Sequence, residues 1–177
     1  MEKALDRIDN RIVAALQNDG RLSNKELAAR VELAPSSCLE RVKRLRQRGI
    51  IQGVHAEVDP AALGIGLQAI LLVRLRRHSR SAVASFHEHA LSLREVVALY
   101  NVTGAEDFLV HVVARDMQHL YDLARDGFAG SPEVDHLQTS LIFNAVRRPV
   151  LPNLAEPEPE AAPAPARARV RKKRSRR

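Results

Sequence analysis

The chain has 177 residues, 45% of them hydrophobic, enough for one ordinary domain or two small ones with buried cores. No run approaches the roughly 18 consecutive apolar residues that span a bilayer, residues 1–10 are too charged for a signal peptide, and a lone cysteine, Cys38, excludes an internal disulfide or a cysteine-based zinc cluster. A cytoplasmic protein with no membrane partner is therefore expected. The net charge of +7 suggests a polyanionic partner and sits at the two ends: residues 1–50 hold eleven basic and seven acidic side chains, and from Pro152 eight basic residues (Arg167, Arg169, Arg171, Lys172, Lys173, Arg174, Arg176, Arg177) stand against Glu156, Glu158 and Glu160.

In chain order, Leu5, Ile8, Ile12, Val13 and Leu16 recur with the helical period, predicting an amphipathic helix from Asp6 to Asn18 that Asp19-Gly20 ends. Ser23 with Glu26 three residues on is a capping box, and Leu27, Ala28 and Val31 give the short helix that follows an apolar face. Pro35 and the Ser36-Ser37 pair open a third helix, with Cys38, Leu39, Val42 and Leu45 expected inward, and Gly49 stops it. Residues 50–58 read as short and β-rich, followed by a turn at Asp59-Pro60 and a Gly64 loop that together suggest a hinge.

From Leu67 the pattern predicts a strand to Leu75, a helix over 81–92, a strand over 96–102 and a turn over 103–107. A strand over 108–114, a helix over 117–128 and a strand over 134–143 complete it. The order β-α-β-β-α-β is that of the ferredoxin-like split βαβ arrangement, in which two helices cover one sheet face and leave the other in need of cover, most simply by a second subunit. Beyond it, the chain is rich in Glu, Pro and Ala, then in Arg and Lys, with too few large apolar side chains to offset the entropy of ordering it. The expected fold class is thus α+β: a three-helix (winged) helix-turn-helix domain over 1–50, a β-strand and hinge linker over 51–66, a ferredoxin-like domain over 67–148 and a disordered tail over 149–177.

Two short helices joined by a tight turn, the second bearing polar and basic residues outward, meet the requirements of a helix-turn-helix. The outward set includes Ser36, Ser37, Glu40, Arg41, Lys43, Arg44 and Arg48. Because residues near the start of a recognition helix reach base edges, Ser36, Ser37, Glu40 and Arg41 are expected on bases of double-stranded DNA, and Lys43, Arg44 and Arg48 on phosphates. The bland alternative is a solvated charged face. Cys38, on the apolar side, reads as a small hydrophobe rather than a redox sensor. An enzyme is not expected: His87 and His89 are two apart on a helix and diverge, no paired-carboxylate or His-x3-His arrangement accompanies them, and no glycine-rich phosphate loop exists, so neither a metal nor another cofactor is expected.

The stretch LDRIDNRIVAALQNDGRLSNKELAARVELAPSSCLERVKRLRQRGIIQGVHAEVDPAALG closely resembles the leucine-responsive and asparagine-responsive (Lrp/AsnC) transcriptional regulators, and VTGAEDFLVHVVARD is similar to that family's Gly-acidic-Asp-aromatic turn. The resemblance covers about Leu5 to Arg148. It implies a sequence-specific regulator of transcription, a homodimer built through the α/β domains and assembled further, as in octamers, and a small-molecule effector, an amino acid, bound between dimers. By position, Gly104, Glu106 and Asp107 would line the effector pocket with Tyr100, Thr139 and Ser140 nearby. Glycine permits close backbone approach and carboxylates suit an ammonium group, while an ordinary hairpin turn is the alternative for 104–107. At Ala105 the chain departs from the family, which often has an acid there. A nucleoid-associated, effector-independent architectural protein is the competing function, since the Arg/Lys-rich tail suits sequence-independent phosphate binding.

Overall fold

The computed structural model describes residues 5–148 and 150–155. In the N-terminal unit, which runs to Val54 and takes in the described residues from Arg148 onward, three helices form where capping and periodicity direct. Helix α1 (Arg7–Asn18) starts at Asp6, whose side chain accepts the Asp9 N–H at 2.7 Å. Helix α2 (Asn24–Arg30) opens with the full capping box, Glu26 N–H donating to Ser23 Oγ and Ser23 N–H to Glu26 Oε2. Glu32 turns the chain with a positive φ of 58°, and its carboxylate is held by Arg11 at 2.8 Å. Helix α3 (Pro35–Gln47) has proline in its first turn, where a missing N–H costs nothing.

Gly49, at φ 71°, closes α3 in a Schellman arrangement, with Gly49 N–H donating to Arg46 O and Ile50 N–H to Leu45 O. Ile12, Leu27, Ala28, Val31, Cys38, Val42 and Leu45 interlock as the core of this unit. Leu39, expected inward, is instead 43% exposed, since it follows Cys38 by about 100° around the helix. Residues 50–58, read as a strand, form none: a strand needs a hydrogen-bonded neighbour, and each of the four strands among the described residues pairs elsewhere. The disordered tail expected over 149–177 lies for the most part outside the described residues. Its start needs correction, because Leu151 exchanges hydrogen bonds with the Gln17 side chain, donating to Oε1 at 2.7 Å.

The second unit, His55–Arg147, begins with a 3-10 turn (Pro60–Leu63) capped by Asp59. It continues as β1 (Leu67–Leu75), α4 (Arg80–Ser92), β2 (Val96–Asn101), β3 (Phe108–Ala114), α5 (Met117–Asp122) and β4 (Val134–Leu141). The strands align β2-β3-β1-β4, every neighbouring pair antiparallel, which is the ferredoxin-like order. Pairing of Ala69 with Val112, Leu71 with Val110 and Val73 with Phe108 puts the fully buried side chains of both central strands on one face. Phe86, Ala90, Leu120 and Phe128 of the helical layer meet them there, with the Phe86 and Phe108 rings 4.7 Å apart. The helix expected over 117–128 changes character after Asp122 and continues as a π-helical turn (Leu123–Ala129). The wider turn stacks residues five apart, so that Leu123 and Phe128 both reach the core.

On the opposite face lie Ile70, Leu72 and Leu109, partly buried, with His111, which is buried and bonded through Nε2 to Gln68 Oε1 at 2.9 Å. No helix among the described residues is long and apolar enough to cross a membrane.

Candidate DNA-binding and effector sites

The start of α3 presents Ser36, Ser37 and Glu40 to solvent, with Lys43 one turn on, paired to Glu40 at 3.1 Å. That exposed i, i+3 pair is weak and exchanges readily for a stronger anion. Arg41 is half-buried and Arg44 exposed, and both guanidinium groups are paired to α1 rather than free. The Arg41 guanidinium lies 2.6 Å from Asp6 Oδ2 and 2.8 Å from Asp9 Oδ1, and Arg44 Nη2 lies 3.0 Å from Asp9 Oδ2. Hydrogen bonds from Arg41 to Asp6 and Asp9 hold Arg41 above the ordinary arginine value and, in turn, Arg41 and the Asp9 N–H hold the Asp6 carboxyl below the usual carboxylate range. The expectation of Arg41 on bases and Arg44 on phosphates leaves out this pairing to α1. Asp6, the N-cap of α1, and Asp9, three residues on, are the residues that sequence reasoning missed. Arg48 is half-buried at the C-terminal cap of α3. Burial raises the Cys38 thiol above its ordinary value, in keeping with an inert core position.

The 102–107 turn joins β2 to β3. Gly104 has φ 125°, a conformation that needs glycine, and its Cβ position faces open space. The Asp107 carboxylate, expected to meet an ammonium group, is already engaged: Oδ2 accepts the Leu75 N–H at 2.7 Å and Oδ1 lies 2.9 Å from His78 Nδ1. Glu106 has a buried Oε2 with no hydrogen-bond partner. Tyr100 is exposed on β2, on the same hairpin. Thr139 and Ser140 are on β4, the opposite edge of the sheet, and as consecutive strand residues they point to opposite faces. A single chain therefore groups Tyr100, Gly104, Glu106 and Asp107 but not Thr139 and Ser140. Among the described residues no group of three His, Cys, Asp or Glu side chains is placed to hold a metal ion.

A tight turn over α1 that exposes the polar start of a proline-initiated helix, followed by a ferredoxin-like unit, defines a helix-turn-helix DNA-binding protein with an attached α/β domain. Residues 5–52 match the winged helix-turn-helix DNA-binding model and residues 68–151 the Lrp/AsnC ligand binding domain model. The chain is 41% identical over 143 residues to the HTH-type transcriptional regulator AldR of Mycolicibacterium smegmatis, covering 81% of this chain and 84% of the relative. It is 35% identical over 146 residues to the leucine-responsive regulatory protein of Escherichia coli, covering 82% and 89%. Among solved structures, the complex of a Neisseria meningitidis transcriptional regulator with L-Met superposes with a TM-score of 0.76 at 32% identity, over 82% of this chain and 94% of that one. The chain belongs to the Lrp/AsnC family of transcriptional regulators. Its fold and family are those of DNA-binding regulators, not of enzymes.

Proposed function

We propose that this regulator reads a specific DNA sequence through Ser36, Ser37 and Glu40, with Lys43 and Arg48 on phosphates, and that its assembly or DNA binding responds to an amino acid bound at the 103–107 turn. It acts in the cytoplasm on nucleoid DNA. The observation that carries the DNA half is the exposure of the polar residues at the start of α3, the part of such a helix that reaches base edges.

Support for the effector half comes from Glu106, whose buried unpartnered oxygen suits an ammonium group, and from the related Neisseria meningitidis regulator seen with L-Met. Tyr100 and Ser140 stand three strand spacings apart, about 14 Å, so a pocket using both sets of residues takes them from two chains. The partly apolar second face of the sheet supports a homodimer, and a pocket between dimers links effector to higher assembly.

Thermal unfolding of the full chain with each of the twenty amino acids in turn tests the effector. A ligand that binds only the folded protein raises Tm by mass action; the expected result is a rise with one amino acid or a small chemically related set, absent in Glu106→Gln. No rise with any amino acid, together with uniform, salt-sensitive coating in footprints, would replace this reading by the architectural one that the basic residues beyond Pro152 favour.

A further inference from the structure

Asp9 is 2% exposed, on the side of α1 that meets α3, and it receives two arginines of the same helix. Arg41 is doubly held, by Asp9 and by the half-exposed Asp6. Arg44 is different: its side chain is 51% exposed, yet its guanidinium donates to both oxygens of Asp9, at 3.0 and 3.2 Å. It therefore has solvent access and two alternatives, the carboxylate beneath it or an anion in front of it. The buried carboxylate meets this half-exposed guanidinium through two charge-assisted hydrogen bonds.

Sequence-independent affinity for DNA grows with each phosphate that a cation neutralises, whereas discrimination grows with contacts to base edges. A guanidinium held on α1 adds nothing to the first and leaves Ser36, Ser37 and Glu40 free to provide the second. We propose that Asp9 is a specificity-determining positioning residue: it holds Arg44, and with Asp6 it holds Arg41, so that two cations of the recognition helix are withheld from sequence-independent phosphate contact. This rests on the reading of α3 as the helix that meets DNA. Removing the carboxylate should then make the protein a stickier and less selective DNA binder, the reverse of what damage to a merely structural residue produces.

The test uses the full chain and two duplexes, one of random sequence and one recovered from a random pool by selection with the natural protein. Binding is measured across a range of salt. In Asp9→Asn the slope of log K against log salt on the random duplex steepens by about 0.9, one released guanidinium, and in Asp6→Asn combined with Asp9→Asn by about 1.8. The preference for the selected duplex falls severalfold, and adding Arg44→Gln to Asp9→Asn restores the original slope. An unchanged or shallower slope in folded Asp9→Asn overturns the proposal. Should Asp9→Asn fail to fold, Arg44→Gln in the natural protein decides: an unchanged slope on the random duplex supports the proposal, and a slope shallower by about 0.9 overturns it by showing that Arg44 already sits on a phosphate. Failure of the selection to recover any preferred duplex would instead reject α3 as a reader of sequence, an outcome separate from a misassigned Arg44.

Discussion

The Asp107 carboxylate accepts the backbone N–H of Leu75 at 2.7 Å, tying the turn before β3 to the last residue of β1. Leu75 is 2% exposed and pairs with β4 only at an irregularity in the register, so its N–H depends on this side chain. Asp107→Ala leaves a buried donor unsatisfied and is expected to destabilise the α/β unit by about 1–3 kcal/mol. His78→Ala removes only the exposed partner of the same carboxylate and should cost less than about 1 kcal/mol. Denaturant unfolding of the two variants checks the contrast; equal losses would mean that the imidazole, not the Leu75 N–H, is the main partner. Loss of an effector response in Asp107→Ala therefore has to be read together with its stability, whereas Glu106 offers a cleaner probe.

Ser23 and Glu26 satisfy each other's backbone N–H groups at the start of α2. Ser23→Ala removes one acceptor and should cost about 1 kcal/mol. Replacement by Thr or Asp, which retain a capping oxygen, should recover most of that in the same unfolding measurement. A Ser23→Ala protein as stable as the parent would show that the box contributes nothing to this short helix.

Much of this architecture is legible in residue order because local signals act over a few residues. Ser23 and Glu26 announce α2, Gly49 ends α3, and the apolar runs 67–75 and 108–114 mark the two central strands. What residue order hides is decided by partners far away in the chain. Arg41 looks like an outward cation until α1 packs beside it and brings Asp6 and Asp9 within hydrogen-bonding distance. Asp107 looks like a ligand for an ammonium group until the Leu75 N–H is found against it. Residues 50–58 have strand-forming side chains but no neighbouring strand, and α5 widens after Asp122 because Leu123 and Phe128 share one core.

His111 supplies a pH dependence. It is buried on β3, bonded to Gln68 Oε1, with Arg147 Nη2 at 3.5 Å from its other ring nitrogen. Burial first, and the Arg147 charge second, lower its pKa below the ordinary 6.5. Between those two values the unfolded chain binds more protons than the folded one, so the contribution of His111 is intact above about pH 6.5 and is lost as pH falls through the lowered value. Tm measured from pH 7.5 to about pH 5 should decline, and His111→Gln, which cannot charge, should decline less over the same interval. Parallel curves for the two proteins would assign the acid sensitivity to other groups.

Gly66 stands where β1 begins, its N–H donating to Ala114 O at 3.0 Å. A Cβ added there would run into the Arg115 carbonyl oxygen, a backbone atom fixed by the β1–β3 pairing that starts with Leu67 and Ala114. Gly66→Ala can be accommodated only by moving that end of the pair, because no flexible side chain is available to yield. Overpacking of this kind typically costs about 1–3 kcal/mol. Gly64→Ala, two residues earlier, meets no atom but must hold a φ of 74°, a left-handed conformation that costs an L-residue about 1–2 kcal/mol. The two variants separate by amide exchange: Gly66→Ala should lower protection at Leu67 and Ala114, while Gly64→Ala should leave the strand pair protected and loosen only the 3-10 turn over Pro60–Leu63. Unaltered protection at the strand pair in Gly66→Ala would show that the backbone at Arg115 yields without disturbing the sheet.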